Sequence, residues 1–366
     1  MSVVDEYSKV RVTLGFAAKN YGFEVIPSFA EGVTITSIAH DISHVRPGCL
    51  FVPLGHVDRR QLEAARDSGA YAALVTPEMR NESPTLGLPL LVSSFNPVAL
   101  GKLACDVNGD PSSCVATFAI AGDDDDEIHA NVLRLADFLH MLGNPVGVIS
   151  DVGSTSLQRE LPLQYPLHIA DVQHVLSVCA EDGAAAVVIA LNSATFSKNA
   201  MQSVNIDVLG VEEIHKNSTN NRSNTLNSLS SSEESKSDKK VTEKSSENAS
   251  EEKSNNESKN DGDSEKVEEQ ASVISTRIAN AIPSLDISSM SSISFYSLRQ
   301  RYGFVSREHS YCVTRSEESD ELAEIADQIG GRDIHRHLSL AIAMVLAAGV
   351  RRGTIKSALR VSHELH

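Results

Sequence analysis

Short apolar runs alternate along this chain with segments of helical spacing, and this alternation limits the fold more than any other feature. "GCLFVPL" and "YAALVTP" read as strands, and "RRQLEAARDSGA" between them reads as a helix ending at a glycine. A second series starts near Cys114 with the apolar run "VATFAIAG", a helix, and "PVGVIS". It continues through the helical "DVQHVLSVCAEDG" into the strand "AAAVVIAL". Repeated strand–helix units predict an α/β fold with helices on both faces of a mostly parallel, doubly wound sheet. The boundary near Cys114 predicts two α/β domains, over residues 1–112 and 113–366. "HLSLAIAMVLAAGVRRGTIKSALRVSHEL" reads as two final helices around Gly349.

The second series is interrupted. Residues 217–270 contain no aromatic side chain, and their aliphatic residues beyond alanine are Leu226, Leu229, Val241 and Val267. Such a segment cannot bury enough surface to offset its ordering entropy, which predicts a disordered acidic Ser/Glu/Lys-rich insertion. Across the 366 residues the formal net charge is −17, which disfavours non-specific binding to nucleic acid or anionic membrane. No apolar stretch approaches the roughly 18 residues of a membrane span. "MSVVDEYSKVRV" lacks the basic-then-apolar pattern of a secretory signal, so a cytoplasmic location is expected. Five cysteines, scattered singly and without metal-type spacing, read as reduced thiols.

At the junction of "VATFAI" with the next helix stands "AGDDDDEIHANV". A glycine between a strand and a helix is where nucleotide-binding proteins hold phosphates, yet here it precedes four aspartates and a glutamate. An EF-hand counted from Asp123 would need glycine and glutamate where Ile128 and Arg134 stand, so that reading is rejected. A looser Mg²⁺ or Ca²⁺ site and a solvated helix start with an aspartate as N-cap are both compatible with the run, and the second is the simpler. "GVRRGTIKS" has the wrong spacing for a phosphate loop and no strand before it. His168, His174, His335 and His337 lack zinc-type spacing and read as surface or core histidines. No nucleophile-elbow motif supports a Ser/His/Asp triad.

Three blocks resemble the muramyl ligases, in particular the UDP-N-acetylmuramoyl-peptide synthetases that add the third stem-peptide residue. "ITSIAHDISHVRPGCLFVPLGHVDRRQLEAARDSGAYAALV" is similar to the family's uridine-binding domain, marked by D-S-R-x-V-x-P-G-x-L-F. "ADVQHVLSVCAEDGAAAVVIAL" resembles part of its central ATPase domain, and "GRDIHRHLSLAIAMVLAAGV" resembles its G-R-F-N-x-x-N-A-L-A-A helix. The resemblance implies an N-terminal uridine-binding-type domain over 1–112 and a central ATPase-type domain over 113–366, with the family's third domain missing. It also implies a uridine site around Asp41, Ser43, His56 and Asp58.

Laid on the family's phosphate loop G-T-N-G-K-T-T, the chain departs at nearly every position. Gly122 matches the first glycine; Asp123, Asp124 and Asp125 follow, Asp126 takes the lysine's place, and Glu127 takes that of the Mg²⁺-binding threonine. Two like unit charges 4 Å apart cost about 4 kcal/mol at an effective dielectric near 20, so the substitutions work against a triphosphate. The family's Mg²⁺-binding glutamate and its histidine fall on Ala190 and Ala194, its substrate threonines on Tyr165 and Pro166, and its sugar-phosphate contacts on Asn192, Lys198 and Ala200. The expectation is a catalytically degenerate ligase-like protein of peptidoglycan precursor synthesis. It would use no ATP or Mg²⁺ and would act by binding a uridine-linked muramyl precursor or another cell-wall enzyme. The alternatives are an active ATP-dependent ligase joining an amino acid to a UDP-N-acetylmuramoyl peptide, and a product with no selected role.

Overall fold

The computed structural model describes residues 11–55, 57–94, 96–212, 295–306, 310–326 and 332–364. The segment 217–270, expected to be disordered, and His56 lie outside the described residues. In chain order the first elements are α1 (Leu14–Tyr21), β1 (Glu24–Ile26), β2 (Ser37–Ala39), β3 (Cys49–Phe51), α2 (Arg59–Asp67) and β4 (Ala72–Val75). They are followed by α3 (Ser83–Leu86), β5 (Leu90–Val92) and α4 (Pro97–Asn108). The second series holds β6 (Ala116–Ala121), α5 (Asp125–Met141), β7 (Val146–Ile149), β8 (Ser154–Ser156), β9 (Arg159–Leu161), α6 (Ile169–Glu181), β10 (Ala186–Ala190) and β11 (Val208–Val211). It closes with α7 (Phe295–Tyr302), β12 (Tyr311–Val313), α8 (Glu317–Ala323), α9 (Arg332–Ala347) and α10 (Arg352–Glu364).

The chain is α/β, as the alternation predicts. Five strands form one sheet in the order β1-β5-β4-β3-β2, in which only the β1–β5 pair is antiparallel. Seven form the other, β12-β11-β6-β10-β7-β8-β9, with β12 through β7 parallel and the β7–β8–β9 end antiparallel. β6, β7, β10 and β11 are buried along almost their whole lengths, as befits parallel strands covered on both faces. All described residues belong to one compact unit. The two sheets are joined through α4 and α6, where Ile169 is buried with Ala99, Leu100 and Leu103.

β6 lies between β10 and β11, and the chain leaves it toward one side through α5 and arrives at the other in β11. This is a topological switch point, the place in an open parallel sheet where a crevice forms beyond the strands' carboxyl ends. Gly349, between α9 and α10, has φ +90°, so the glycine expected to punctuate two helices does so.

Gly48 follows Pro47 ahead of β3 and shows why glycine is needed there. Its φ is +89°, and a Cβ at this position would lie 2.3 Å from Thr36 Oγ1. Gly48→Ala is therefore expected to destabilise the fold by about 1–3 kcal/mol, from left-handed strain together with the clash. Urea unfolding checks this, and an unchanged midpoint would contradict it.

Candidate functional site

The acidic turn begins where β6 ends. Asp124 takes extended backbone angles as the N-cap of α5, and its carboxylate accepts the N–H groups of Asp126 (2.9 Å) and Glu127 (3.4 Å). These donors belong to the orphan first turn of the helix, the part that presents N–H groups to a phosphate in nucleotide-binding folds. Here the chain's own carboxylate occupies them. Asp123, Asp124, Asp125 and Asp126 are all exposed, while Ile128 behind them is buried. Gly122 does not require glycine: its φ is not positive, and an added Cβ would meet Ile128 Cγ1 at an ordinary 3.4 Å.

Two polar networks flank this turn. On the β10 side, Asp125 Oδ1 accepts from Asn192 Nδ2 at 3.0 Å. Asn192 also reaches Asp151 Oδ1 at 3.3 Å, and the Thr195 hydroxyl donates to the same oxygen at 2.7 Å. His129 Nε2 lies 2.9 Å from that oxygen as well. Burial works against the Asp151 carboxylate, but the hydrogen bonds from Thr195, His129 and Asn192 outweigh it and hold its pKa below the ordinary value.

On the β11 side, Glu127 Oε2 lies 2.7 Å from His337 Nε2 and 2.8 Å from Arg336 Nη2. Arg336 also reaches Glu212 Oε1 at 3.3 Å, just beyond the end of β11. Asn131 spans the same ground, donating through Nδ2 to the Glu127 backbone oxygen (2.8 Å) and to the Glu212 carboxylate. The His337 hydrogen bond, with Arg336, draws the Glu127 pKa down against partial burial, whereas burial pushes Glu212 up. Ala190 and Ala194, where the resemblance leads one to expect metal ligands, carry neither a carboxylate nor an imidazole.

Of the residues expected to touch uridine, Asp41, Ser43 and Asp58 have local structural roles. Asp41 caps a short 3₁₀ turn by accepting the Ser43 N–H at 2.7 Å, and both residues are outside the apolar-walled cavity of the first sheet. Asp58 caps α2 and exchanges hydrogen bonds with Gln61 in a capping box. The cavity itself, about 360 Å³, opens beyond β3, β4 and β5 against the start of α6. Val52, Leu54, Leu74 and Leu100 give it apolar walls; Ser94, Asn96, His40, His168 and Lys198 supply polar groups. Gly55 and Val57, on either side of His56, also line it. His168 Nδ1 lies 2.9 Å from Ser197 Oγ, and burial holds the His168 pKa below the ordinary value, which favours a neutral ring. Sequence reasoning missed His40 and the position of His168 because they are far apart in the chain, one just after β2 and the other capping α6.

No family model matches the sequence, and no curated protein matches it. Among solved structures, the chain is similar to a UDP-N-acetylmuramoyl-L-alanyl-D-glutamate–2,6-diaminopimelate ligase, with TM-score 0.40 and 15% identity over 55% of this chain and 40% of that one. It is also similar to MurF from Acinetobacter baumannii, with TM-score 0.38 and 14% identity over 55% of this chain and 40% of that one. For the MurF ligase of Thermotoga maritima in complex with ADP the TM-score is 0.29 and the identity 13%, over 48% of this chain and 37% of that one. The likeness is one of fold alone. The chain spans about 40% of the length of the first of these structures. Among the described residues no helix is long and apolar enough to cross a membrane.

Proposed function

We propose that this chain is a ligase-like binding protein that has lost its triphosphate site and recognises a uridine-linked precursor, or a partner enzyme that handles one, in the cytoplasm. The observation that carries the proposal is the Asp124 cap. The helix N–H groups that would meet a phosphate are already bonded to a carboxylate, and three further exposed aspartates surround them. A triphosphate would have to displace that cap and then sit among like charges. Glu127, in the position of the magnesium-binding threonine, is engaged by His337 and Arg336.

The cavity of the first sheet supports the binding half of the reading. Its walls suit a flat base, and Lys198 at its edge suits an attached phosphate. Contacts to one end of a ligand must offset the whole association cost, so the affinity is expected to be weak. Calorimetric titration is expected to give high-micromolar to millimolar binding of UDP, weakened in His56→Ala and Lys198→Ala, with no Mg·ATP binding in the micromolar range. Micromolar Mg·ATP binding would defeat the reading. No UDP effect on amide shifts around residues 52–57 and 93–96 would remove the ligand and leave the partner enzyme.

A further inference from the structure

We infer that Glu127, Glu212 and His337 form a binding site for a divalent transition-metal cation, with Zn²⁺ held more tightly than Mn²⁺ or Mg²⁺. One ligand atom from each of these residues lies within 4.8 Å of the other two. The three come from the start of α5, the end of β11 and the first turns of α9, and they converge at the switch-point crevice. Tetrahedral ligands about 2.1 Å from a zinc ion stand about 3.4 Å apart, so the Glu127–His337 pair, 2.7 Å apart, would open to admit the ion while the wider separations, all within 4.8 Å, would close. An imidazole nitrogen beside two carboxylates suits zinc better than the all-oxygen shell preferred by magnesium. Of the three ligands only Glu127 stands where the family resemblance places a metal-binding residue, the threonine of the phosphate loop; the family's glutamate and histidine fall on Ala190 and Ala194, and Glu212 and His337 are new to the set.

Asn131 is a second, independent indication. Its side chain is 1% exposed, and its Nδ2 bonds the Glu212 carboxylate and the Glu127 backbone oxygen. Such a bond fixes a ligating carboxylate from outside the coordination shell. The Oδ1 of the same carboxamide, whose Nδ2 faces the cluster, is buried without a hydrogen-bond partner.

Arg336 is the competitor. Its guanidinium bridges Glu127 and Glu212, and its side chain is 35% exposed against 11% for Glu212 and 12% for His337. The guanidinium and an incoming cation would compete for the same two carboxylates. Asp123, Asp125 and Asp126, exposed at the crevice mouth, raise the local concentration of cations by their field. The inference does not depend on the ligand of the first-sheet cavity.

The test is calorimetric titration of the full chain, stripped with chelator, using ZnCl₂, MnCl₂ and MgCl₂. One tight Zn²⁺ per chain is expected, weakened at least about tenfold, or roughly 1.4 kcal/mol, in both Glu212→Gln and His337→Gln. Arg336→Met should tighten binding, because it removes the competing cation while leaving all three ligands. Co²⁺ bound to the wild-type chain should give a visible absorption spectrum that changes in His337→Gln, while circular dichroism verifies that each variant is folded. Zn²⁺ affinity unchanged in folded Glu212→Gln and His337→Gln would overturn the inference and assign the metal to other histidines of the surface. Weaker binding in folded Arg336→Met would overturn it as well, since the guanidinium would then be supporting the site and not blocking it.

Discussion

Replacing Phe138 with alanine is expected to lower the unfolding free energy by about 3–5 kcal/mol, the range for removing a fully buried aromatic side chain. Phe138 is 0% exposed on α5, in line with the buried Ile128, Val132, Leu135 and Leu139. α5 lies against β10 and β7 on one side and α9 on another, so the cavity left by the ring has no flexible wall to collapse into. Urea denaturation measures the loss. A change below about 1 kcal/mol would mean that α5 is not clamped between sheet and helix, and the convergence of Glu127 with α9 would lose its support.

Thr195→Val is expected to cost about 2–4 kcal/mol although it conserves shape. Thr195 is 0% exposed; its hydroxyl donates to Asp151 Oδ1 at 2.7 Å and accepts the Asp151 N–H at 3.1 Å. Valine removes both bonds at once, and each partly buried group left without a partner costs about 1–3 kcal/mol. The variant should also alter the pH response. Asp151 titrates below its ordinary value in the folded chain, so its contribution is present above the unfolded pKa and is lost as pH falls through the folded one. Without Thr195 the folded pKa rises and less stability remains to be lost in acid. Wild-type and variant stabilities should therefore converge as pH is lowered through the acid limb. A constant difference at all pH values would show that the hydroxyl does not act through Asp151.

Much of the fold was legible because it is written locally. β3, β4, β7 and β10 fall within apolar runs of the sequence, α2 falls within a segment of helical spacing, and α6 overlaps another, starting two residues ahead of it. The hairpin β8–β9 was not legible, since "STS" and "REL" are short and polar and acquire strand geometry only by pairing with β7. The antiparallel edge strand β1 escaped for a similar reason: its three residues pair with β5, far along the chain. At the site, the local half could be read and the long-range half could not. Asp124 as an N-cap follows from an aspartate just ahead of a helix. The Asp58–Gln61 spacing is likewise a capping box visible in sequence, although the family pattern pointed to uridine there. By contrast, Glu127 and His337 are 210 positions apart. Nothing in the periodicity of either helix announces that they meet, so His337 read as one more surface or core histidine.

The strand order has a consequence for how the chain is made. β6, central in its sheet, registers with β10 through Ala116↔Ala186 and with β11 through Val208↔Phe118, so both its neighbours are synthesised long after it. β11 in turn registers with β12 through Val208↔Tyr311. During synthesis the outer edge of β11 thus presents unpaired N–H and C=O groups until some hundred further residues have emerged, a ready template for another chain. The three residues of β12 are what finally close that edge.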